Sequence, residues 1–316
     1  MIFNQSLVDV DVDDRLIPDY ESVYFTINEK HEDLLERKLI SMNIRDGQIA
    51  VDLGGGYGRL TDLLLGHFKF VILIDYSERN IERAVKNLNS DRIIFILADV
   101  RNPPLMEGSV DFIMSIRVMH HYRDLDFLGS IVSKLRGGGS FLFNFNNISS
   151  PVFALHMMKS LTMNGKVVLN YFNPYPQGIS DPVSNRNVYF IKYRNLLDSI
   201  PRTCRVERAI GTGLFHNSTV ESLSDYLNIE RLTKFELRLA NIIKTASLYP
   251  DVFLLLNKEV EGITQSFKNP LEIIRCIVCG SKLRNEDSIA VCERCGKVYA
   301  LKGRMLDMRN SSGDFV

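Results

Sequence analysis

The feature that most constrains this chain is a glycine-rich stretch that directly follows an apolar run, IAVDLGGGYG at residues 49–58. The apolar run carries one acid, Asp52, and glycine then fills four of the five positions 54–58. Glycine loses more backbone entropy on folding than any other residue, so such a run is unfavourable unless the chain needs free space or unusual dihedral angles. The stretch therefore predicts a buried strand and then a tight turn into a helix, with something lying close to the bare backbone.

Beyond this stretch, short apolar runs alternate with segments of helical period. This alternation predicts right-handed βαβ units and a parallel sheet, hence an α/β fold with helices on both faces. A further helix is predicted upstream, where Asn28 can cap the segment HEDLLERKLISMN. The predicted strands are 48–53, 70–75, 92–97, 111–116, 139–146, 204–210 and 252–257, and the predicted helices are 58–66, 78–88, 123–135, 191–199 and 231–246.

The spacing of the glycines separates three kinds of glycine loop. A phosphate-binding P-loop requires GxxxxGK followed by Ser or Thr, and no lysine stands at that place. A dinucleotide fingerprint spaces its glycines as GxGxxG. Here Gly54, Gly56 and Gly58 alternate after Asp52. The pattern D-x-G-x-G-x-G after a strand resembles that of class I S-adenosylmethionine-dependent methyltransferases.

This resemblance implies a cofactor whose chemistry suits the loop. S-adenosylmethionine carries an ammonium and a sulfonium, and it lacks a pyrophosphate. Backbone without side chains at Gly54 and Gly56 would let its amino-acid tail approach closely, while Asp52 would place a carboxylate near the cationic end. Gly58 would permit close packing of the following helix.

Acids also end the next two predicted strands, VILIDYS and IIFILADV. A carboxylate at the place of Asp75 matches the two vicinal hydroxyls of a ribose. By the resemblance, Tyr76 adjoins the cofactor, Asp99 accepts from the adenine amino group, and Val100 offers its backbone amide. A lone Asp after a strand is otherwise a turn former or a helix cap. Because open α/β sheets bind ligands at the carboxyl ends of their strands, the set together indicates a cofactor site.

Residues 109–121, SVDFIMSIRVMHH, resemble the fourth-strand segment of the ubiquinone/menaquinone-biosynthesis-like superfamily of these methyltransferases, and the resemblance covers about 48–258. It implies a Rossmann-like sheet of seven strands, with Arg117 beside the cofactor and His120 and His121 near the acceptor. In-line methyl transfer depends mostly on positioning. A hydroxyl or an acidic carbon additionally needs a base, and a histidine titrates in the useful range. The alternative is that the two histidines only pack against or cap the following helix.

Four of the five cysteines lie close together in two CxxCG motifs, with 12 residues between the motifs' inner cysteines. These four are Cys276, Cys279, Cys292 and Cys295. Two such motifs complete a tetrahedral site of four thiolates, which predicts a structural zinc ion, with rubredoxin-like iron as the alternative. The tail resembles the zinc-ribbon activator subunit of some methyltransferases, which implies docking on the main domain or on a protein partner. Cys204 stands apart and is predicted to be buried and inert.

Charge and hydropathy limit the function further. The chain holds 38 Lys and Arg against 38 Asp and Glu, so it lacks the positive bias that would by itself indicate nucleic-acid binding. No signal peptide is visible and no window approaches the ~18 apolar residues of a membrane span, so we expect a cytoplasmic protein. We expect a small-molecule methyl acceptor. The alternatives are a tRNA or protein acceptor docked through the ribbon, and a non-catalytic S-adenosylmethionine-binding scaffold.

Changes in residue composition along the chain predict the domain organisation. Residues 1–47 are predicted to form a leader and a helix that cover the cofactor site, followed by the S-adenosylmethionine-binding domain at 48–265. The proline- and aromatic-rich residues 147–186 within that domain are predicted to form a substrate lid, and the alternative is an ordinary packed insertion. Residues 268–316, where short polar strands and cysteines replace the apolar runs, are predicted to form the zinc ribbon.

Overall fold

The computed structural model describes residues 27–159, 179–180, 187–215, 220, 223, 226, 228–259 and 267–309 of the 316-residue chain. The predicted leader before residue 27 and most of the predicted lid at 147–186 lie outside the described residues, so both stay predictions. Within the described ranges, no helix combines the length and the apolar character needed to cross a membrane.

The strands of the described residues form one large mixed sheet and a small antiparallel sheet of two strands. In chain order they are β1 (Gly47–Leu53), β2 (Phe68–Asp75), β3 (Ile93–Leu97), β4 (Val110–Ser115), β5 (Leu135–Asn146), β6 (Ile179–Ser180), β7 (Asn187–Val188), β8 (Cys204–Thr212), β9 (Asp251–Lys258), β10 (Leu283–Glu286), β11 (Ile289–Cys292), β12 (Val298–Lys302) and β13 (Met305–Asp307). The large sheet has eleven strands in the order β10-β11-β12-β13-β3-β2-β1-β4-β5-β9-β8, and β6 pairs with β7. Strands β3, β2, β1, β4 and β5 are parallel, while β9 runs antiparallel to its neighbours β5 and β8.

Helices connect these strands and cover the sheet. Those among the described residues are α1 (Ile27–Asn43), α2 (Thr61–Leu65), α3 (Glu78–Asn87), α4 (Leu128–Lys134), α5 (Pro151–Lys159), α6 (Tyr193–Ser199) and α7 (Ile229–Ile242). Helix α3 begins after Ser77, whose side chain accepts a hydrogen bond from the backbone of Asn80 and so caps the helix. Short 3-10 turns add Met119–His121, Ala246–Leu248 and Pro270–Ile273.

Three predicted helices begin later in the chain than expected, and the one predicted at 191–199 does so by only two residues, at Tyr193. The helix predicted at 58–66 starts at Thr61, because Gly58 has a φ of 84°, which an α-helix does not allow. The helix predicted at 123–135 starts at Leu128. The segment before it folds back instead, with the rings of Tyr122 and Phe127 in edge contact at 4.9 Å.

Both faces of the sheet are buried. Along β1, Ile49, Val51 and Leu53 pack into the hydrophobic cluster on one face, and Ala50 packs into the cluster on the other. Because alternate residues of a strand point to opposite faces, a continuous apolar run suits a strand that is covered on both sides. The α/β fold class predicted from the sequence, with seven strands in the main unit and helices on both faces, is confirmed.

Parallel strands bring their carboxyl ends together at one side of the sheet, which we call the carboxyl edge. Strand β1 ends there at Leu53, and β2 ends at Asp75, which aligns with Leu97 at the end of β3. The antiparallel β9 begins at the same edge, where Asp251 pairs with Asn146 at the end of β5. The topology thus gathers residues from distant parts of the chain along one line.

The cysteine-containing strands β10 to β13 continue the main sheet. Strand β13 lies parallel to β3, with Met305 opposite Phe95, and Met308 donates its amide to the Leu97 carbonyl at 2.8 Å. An edge strand has a row of unpaired backbone groups, and β13 satisfies those of β3. The sequence predicts a separate small domain here, but it could not show this pairing, because no local pattern specifies which distant strand a ribbon joins.

Candidate active site

The glycine loop after β1 adopts the unusual dihedral angles that its sequence predicts. Gly54, Gly56 and Gly58 have φ values of 76°, 55° and 84°, in the left-handed region that favours glycine. A Cβ at Gly54 would lie 2.4 Å from Val118, and one at Gly58 would lie 2.5 Å from Leu88. These two glycines therefore allow close packing. The helix that Gly58 approaches is α3, one helix further along than the sequence analysis expects.

Gly56 differs from Gly54 and Gly58 because no described residue packs tightly against it. A Cβ there would meet only the side chain of Asn80, at 3.9 Å. The amide of Gly56 donates to Asp75 Oδ2 at 2.9 Å, and the amide of Ser77 donates to Asp75 Oδ1 at 2.9 Å. The carboxylate of Asp75 is thus held at the carboxyl edge beside a bare stretch of backbone. Tyr76 follows it and is half-buried.

Asp52 lies beneath the loop. Its carboxylate is 3% exposed and accepts the Thr61 hydroxyl at 2.6 Å. A Cβ at Gly55 would lie 2.7 Å from Asp52 Cγ, so the loop passes directly over this side chain. Burial raises the pKa of Asp52 to about 7, against the lowering effects of the Thr61 hydrogen bond and the charge of Arg59. Asp52 therefore braces the loop from below, and its predicted contact with the cofactor stays a prediction.

Asp99 and Val100 follow β3 at the same edge. Asp99 accepts from Arg101 through the backbone amide at 2.9 Å and through the guanidinium Nε at 2.9 and 3.0 Å. Val100 is buried. The carboxylate is therefore fixed in direction by its neighbour, in the place where the sequence predicts adenine contacts.

The ribbon repeats this arrangement next door. Asp307 at the end of β13 accepts from Nε and Nη2 of Arg309, and the same Nη2 also donates to Glu78 at 2.9 Å. The sequence D-x-R occurs at both places, as Asp99-Val100-Arg101 and as Asp307-Met308-Arg309. Sequence reasoning missed the second pair, although this repeated tripeptide could have indicated it. The contact of Arg309 with Glu78, the first residue of helix α3, thereby joins this helix to the ribbon.

Arg117, predicted to lie beside the cofactor, has left-handed backbone geometry with a φ of 61°. Its amide donates to Asn144 Oδ1 at 2.7 Å, which holds this uncommon conformation. The guanidinium faces α1, with Nε 2.6 Å from Glu36, Nη1 3.0 Å from Glu29 and Nη2 2.9 Å from Glu32. The three glutamates share one helix face because they are three and four residues apart. Arg117 thus fastens α1 over the carboxyl edge.

A second arginine fastens the same helix to the glycine loop. Arg59, directly after Gly58, pairs with Asp33 and with Glu36. Since Glu36 is buried and contacts both arginines, it connects the glycine loop with the segment after β4. The position of α1 and the shape of both loops therefore depend on one ionic network.

His120 and His121 lie on the 3-10 turn Met119–His121 after β4, with ring centroids 4.1 Å apart. The carbonyl of His120 accepts the Tyr189 amide at 2.7 Å. Burial lowers the pKa of His120 well below its usual range, and the nearby His121 and Arg117 lower it further. Within the described residues, the ring nitrogens of His120 form no hydrogen bond. The ring is therefore neutral near pH 7 and can accept a proton.

Asp251 was missed by the sequence analysis. It begins β9, and its Oδ1 accepts from Asn146 Nδ2 at 2.7 Å. Burial, together with the charges of Glu32 and Glu236, raises the pKa of Asp251 to about 7, against the lowering effect of Arg117. No short motif could have indicated it, because these carboxylates come from three separate elements.

The four cysteines of the ribbon converge. Their Sγ atoms all lie within 4.8 Å of one another, with Cys276 and Cys295 3.6 Å apart and Cys279 and Cys292 3.4 Å apart. Thiolates 2.3 Å from a tetrahedral zinc ion stand roughly 3.8 Å apart, so the cluster has the size and donor set that zinc requires. The hydroxyl of Tyr299 lies 3.0 Å from Cys276 Sγ and orients it.

Comparisons with known proteins agree with this architecture. Residues 51–143 match the family model described as a methyltransferase domain. A methyltransferase of Thermotoga maritima is 17% identical and has a TM-score of 0.53, over 78% of this chain and 97% of that one. A methyltransferase of Listeria monocytogenes is 14% identical with a TM-score of 0.51, over 73% and 99%. None of the curated proteins matches the chain.

A third structure of similar fold comes from a complex. It is the complex of the Haloferax volcanii Trm112 methyltransferase activator with a methyltransferase, 16% identical with a TM-score of 0.50, over 78% of this chain and 96% of that chain. At these identities, the structures establish the fold, and the matched model establishes the domain. The chain therefore carries a methyltransferase domain and has the fold of S-adenosylmethionine-dependent methyltransferases.

Proposed function

We propose that the protein transfers a methyl group from S-adenosylmethionine to a small-molecule acceptor by in-line displacement. The observation that carries the proposal is the pairing of Gly56 and Asp75 at the carboxyl edge. Among the described residues, only the side chain of Asn80 comes within 4 Å of a Cβ at Gly56, and the carboxylate of Asp75 is fixed beside it by two backbone amides. A nucleoside attached to a compact amino-acid tail fits such a cradle, since the loop has neither the lysine nor the spacing of a phosphate-binding loop.

Each residue at this edge has a role in the proposal. Asp75 accepts the ribose hydroxyls, Gly54 and Gly56 leave room for the amino-acid tail, and Asp99 and Val100 recognise the adenine. Tyr76 and the backbone of Arg117 flank the same space, and Asp52 and Gly58 hold the loop in shape. Bound S-adenosylmethionine supplies an electrophilic methyl group on a sulfonium. The protein then has to position the acceptor and exclude water.

His120 is the proposed general base. Its ring is neutral because burial lowers its pKa, and it lies after β4 at the carboxyl edge. A neutral imidazole can take a proton from the acceptor as the acceptor attacks. His121 contacts the His120 ring and, by its charge, contributes to the lowered pKa. We therefore assign His121 the role of helping to keep His120 neutral.

The four cysteines are proposed to hold a structural zinc ion. A site closed by four thiolates leaves no coordination position for a substrate. Strand β13 of this ribbon pairs with β3, whose end carries Asp99. The metal is therefore proposed to stabilise the sheet beside the adenine region and to offer a surface for a protein partner.

A small acceptor is favoured by the equal numbers of acidic and basic residues in the chain. The alternatives, a tRNA or protein acceptor docked through the ribbon and a scaffold that binds the cofactor without turnover, predict different observations. An RNA acceptor predicts that purified protein retains nucleic acid, visible in its ultraviolet absorbance ratio. A scaffold predicts cofactor binding without methyl transfer to any acceptor. A cytoplasmic location remains our expectation.

The test is calorimetric titration of the zinc-loaded protein with S-adenosylmethionine. We expect saturable binding at one site, lost in Asp75→Ala and kept in Asp91→Ala, whose exposed acid precedes β3 at the opposite side of the sheet. Thermal unfolding of both variants shows whether the loop still folds without the Asp75 carboxylate. A folded protein that binds no S-adenosylmethionine would contradict the proposed function.

A further inference from the structure

The ribbon adds one strand end to the carboxyl edge. In the register of the sheet, Leu97 at the end of β3 lies opposite both Asp75 of β2 and Asp307 of β13. The backbone ladder continues past these strand ends on both sides. The amide of Ala98 donates to the Asp75 carbonyl at 3.1 Å. The amide of Met308 donates to the Leu97 carbonyl at 2.8 Å. Because neighbouring strands lie about 4.8 Å apart, the end of β13 is only two strand spacings from the carboxylate that is proposed to bind the ribose.

Glu78, the first residue of α3, turns both carboxylate oxygens to the ribbon. Its Oε2 accepts from Arg309 Nη2 at 2.9 Å, and its Oε1 lies 3.7 Å from Lys302 Nζ. An acid in the first turn of a helix is already favoured by the helix dipole, so the helix itself does not require these cations. The contacts instead fix where α3 begins relative to β13.

The guanidinium of Arg309 is fixed in direction by a second carboxylate. Its Nε donates to Asp307 Oδ1 at 3.0 Å, and its Nη2 donates to Asp307 Oδ2 at 2.6 Å. The backbone amide of Arg309 donates to the same carboxylate at 3.1 Å. A planar fork that is already held by a carboxylate loses little further side-chain entropy when it makes another contact. The side chains of Arg309 and Glu78 are 25% and 34% exposed, so water screens their pairing only in part.

The first turn of α3 also forms one wall of the proposed cofactor cradle. The amide of Ser77, which precedes Glu78, donates to Asp75 Oδ1 at 2.9 Å. The side chain of Asn80 is the described group that a Cβ at Gly56 would meet. Ser77 Oγ accepts from the amide of Asn80 at 3.2 Å and so holds these two parts together. A small shift of this turn would therefore move both the carboxylate proposed for the ribose and the side chain next to the glycine loop.

We propose that Arg309 is a positioning residue through which the ribbon sets the affinity of the cofactor site, by fixing the first turn of α3. This inference rests on the proposed function and adds a residue from outside the glycine loop and the ends of β1 to β4. The residues that transmit the effect form one path of contacts, namely Asp307, Arg309, Glu78, Ser77 and Asp75. Because coupling between two sites is reciprocal, bound cofactor should in turn hold the ribbon more firmly against α3.

A direct effect of the Arg309 charge on the ligand would have a different signature. S-adenosylmethionine carries one net positive charge, whereas S-adenosylhomocysteine, which has a neutral thioether, carries none. By charge alone, loss of a nearby cation would strengthen binding of S-adenosylmethionine and leave S-adenosylhomocysteine almost unchanged. Loss of positioning would weaken both ligands by the same factor. Titration with both ligands therefore distinguishes the two causes.

The experiment is calorimetric titration of the full zinc-loaded chain with each ligand, at a temperature well below its melting. We expect Arg309→Ala to weaken both ligands about 5-fold or more, which is the usual size of coupling between sites. Arg309→Lys keeps a charge beside Glu78 and loses the fork, so its affinities should lie between those of the other two proteins. The matched control is Arg284→Ala, which removes the ion pair with Glu286 on β10, at the outer edge of the ribbon. It should keep the affinities of the unmodified protein.

A double-variant cycle assigns the effect to the pair. Glu78→Gln should weaken both ligands as Arg309→Ala does, and the double variant should be no weaker than either single variant. Circular dichroism and zinc content show that each variant is folded, and Arg309→Lys with Glu78→Gln carries the comparison if Arg309→Ala is not. Hydrogen exchange adds a measurement without ligand. In Arg309→Ala, peptides covering residues 75–81 should exchange faster, while those of β5 should keep their protection.

The outcomes separate this inference from the proposed function. If the folded, unmodified protein binds neither ligand, the proposed function fails and the inference fails with it. If the unmodified protein binds both and Arg309→Ala binds them equally well, the inference is overturned and the proposed function stands. Tighter binding of S-adenosylmethionine alone would show a charge effect and would also overturn the inference. Additive losses in the double variant would do the same, because Arg309 would then act without Glu78.

Discussion

The carboxyl edge has two parts that are built by different means, and we call them the cofactor side and the acceptor side. On the cofactor side, the loop at 54–58 and Asp75 are held by backbone amides and by the freedom of glycine. On the acceptor side, charged side chains from α1, the β4 loop, α7 and β9 meet across more than half of the chain. The first region is a local backbone shape, and the second is an arrangement of charges that only tertiary packing produces.

The ribbon belongs to the cofactor side. Strand β13 extends the sheet from β3, and Arg309 reaches Glu78 at the start of the helix that follows β2. The four-cysteine cluster and the glycine loop are thus attached to one sheet. The acceptor side instead meets helices α1 and α7, which contain no cysteine. Disturbing the metal should therefore affect the two sides unequally.

Removal of the metal is expected to have the largest effect. Cys292→Ser, or a chelator, should unfold β10 to β13 and expose the edge of β3. The melting temperature should fall by on the order of 10 °C, because structural zinc contributes folding free energy directly. S-adenosylmethionine affinity should fall with it. Zinc content, circular dichroism and calorimetry measure the three changes.

The matched control is Cys204→Ser, which changes the fifth cysteine, in β8 at the far edge of the sheet. It should leave zinc content and cofactor affinity unchanged. Equal losses from both substitutions would show that the cluster has no special relation to the cofactor side.

Substitution of His120 should produce the next largest effect and act on the acceptor side. His120→Gln removes the base, so kcat should fall about 10²-fold with the acceptor that screening identifies, while S-adenosylmethionine affinity stays the same. Because the pKa of His120 lies well below its usual range, the unmodified enzyme should stay active below pH 6.5. The acid limb of its pH profile should disappear in the variant.

His67→Gln controls for loss of an imidazole, since His67 is exposed at the amino end of β2 and pairs with Asp46. A fall in cofactor affinity equal to the fall in kcat would contradict a role for His120 in proton transfer.

A pair of glycine substitutions tests the cofactor side. Gly56 and Gly138 both have positive φ, 55° and 75°, and a Cβ at either would meet no described residue closer than 3.9 Å. Alanine at either should destabilise the fold by about 1 kcal/mol. Only Gly56→Ala places a methyl group where the cofactor is proposed to lie. The S-adenosylmethionine affinity of this variant should therefore be at least ~10-fold lower than that of Gly138→Ala. Calorimetry and thermal unfolding of both variants separate the two effects, and equal affinities would remove Gly56 from the cradle.

The two sides also differ in how well the sequence predicts them. The cofactor side was predicted because each part lies within one strand and its turn, as with Gly56 after β1 and Asp75 after β2. The partners of Arg117 were not predicted, because α1 reaches them only through tertiary packing. Asp251 was not predicted either, because its local sequence shows only a polar residue at the beginning of a strand. The pairing of β13 with β3 was not predicted either, because strand pairing is made by backbone groups and does not require particular residues in the two strands.

The smallest expected effect is a pH dependence of stability at the acceptor side. Burial raises the pKa of Asp251 from 3.8 to about 7, so the folded state binds its proton more tightly than the unfolded state. The contribution of this group to stability is therefore full below pH 3.8 and is lost as the pH rises through about 7. Asp251→Asn never ionises, so its free energy of unfolding should exceed that of the unmodified protein by more at pH 8 than at pH 5, and this excess should grow by at least about 1 kcal/mol between the two. Asp91→Asn should show no such trend. A variant that is less stable at pH 8 than at pH 5, relative to the unmodified protein, would mean that a cation already pairs with Asp251 in the free protein.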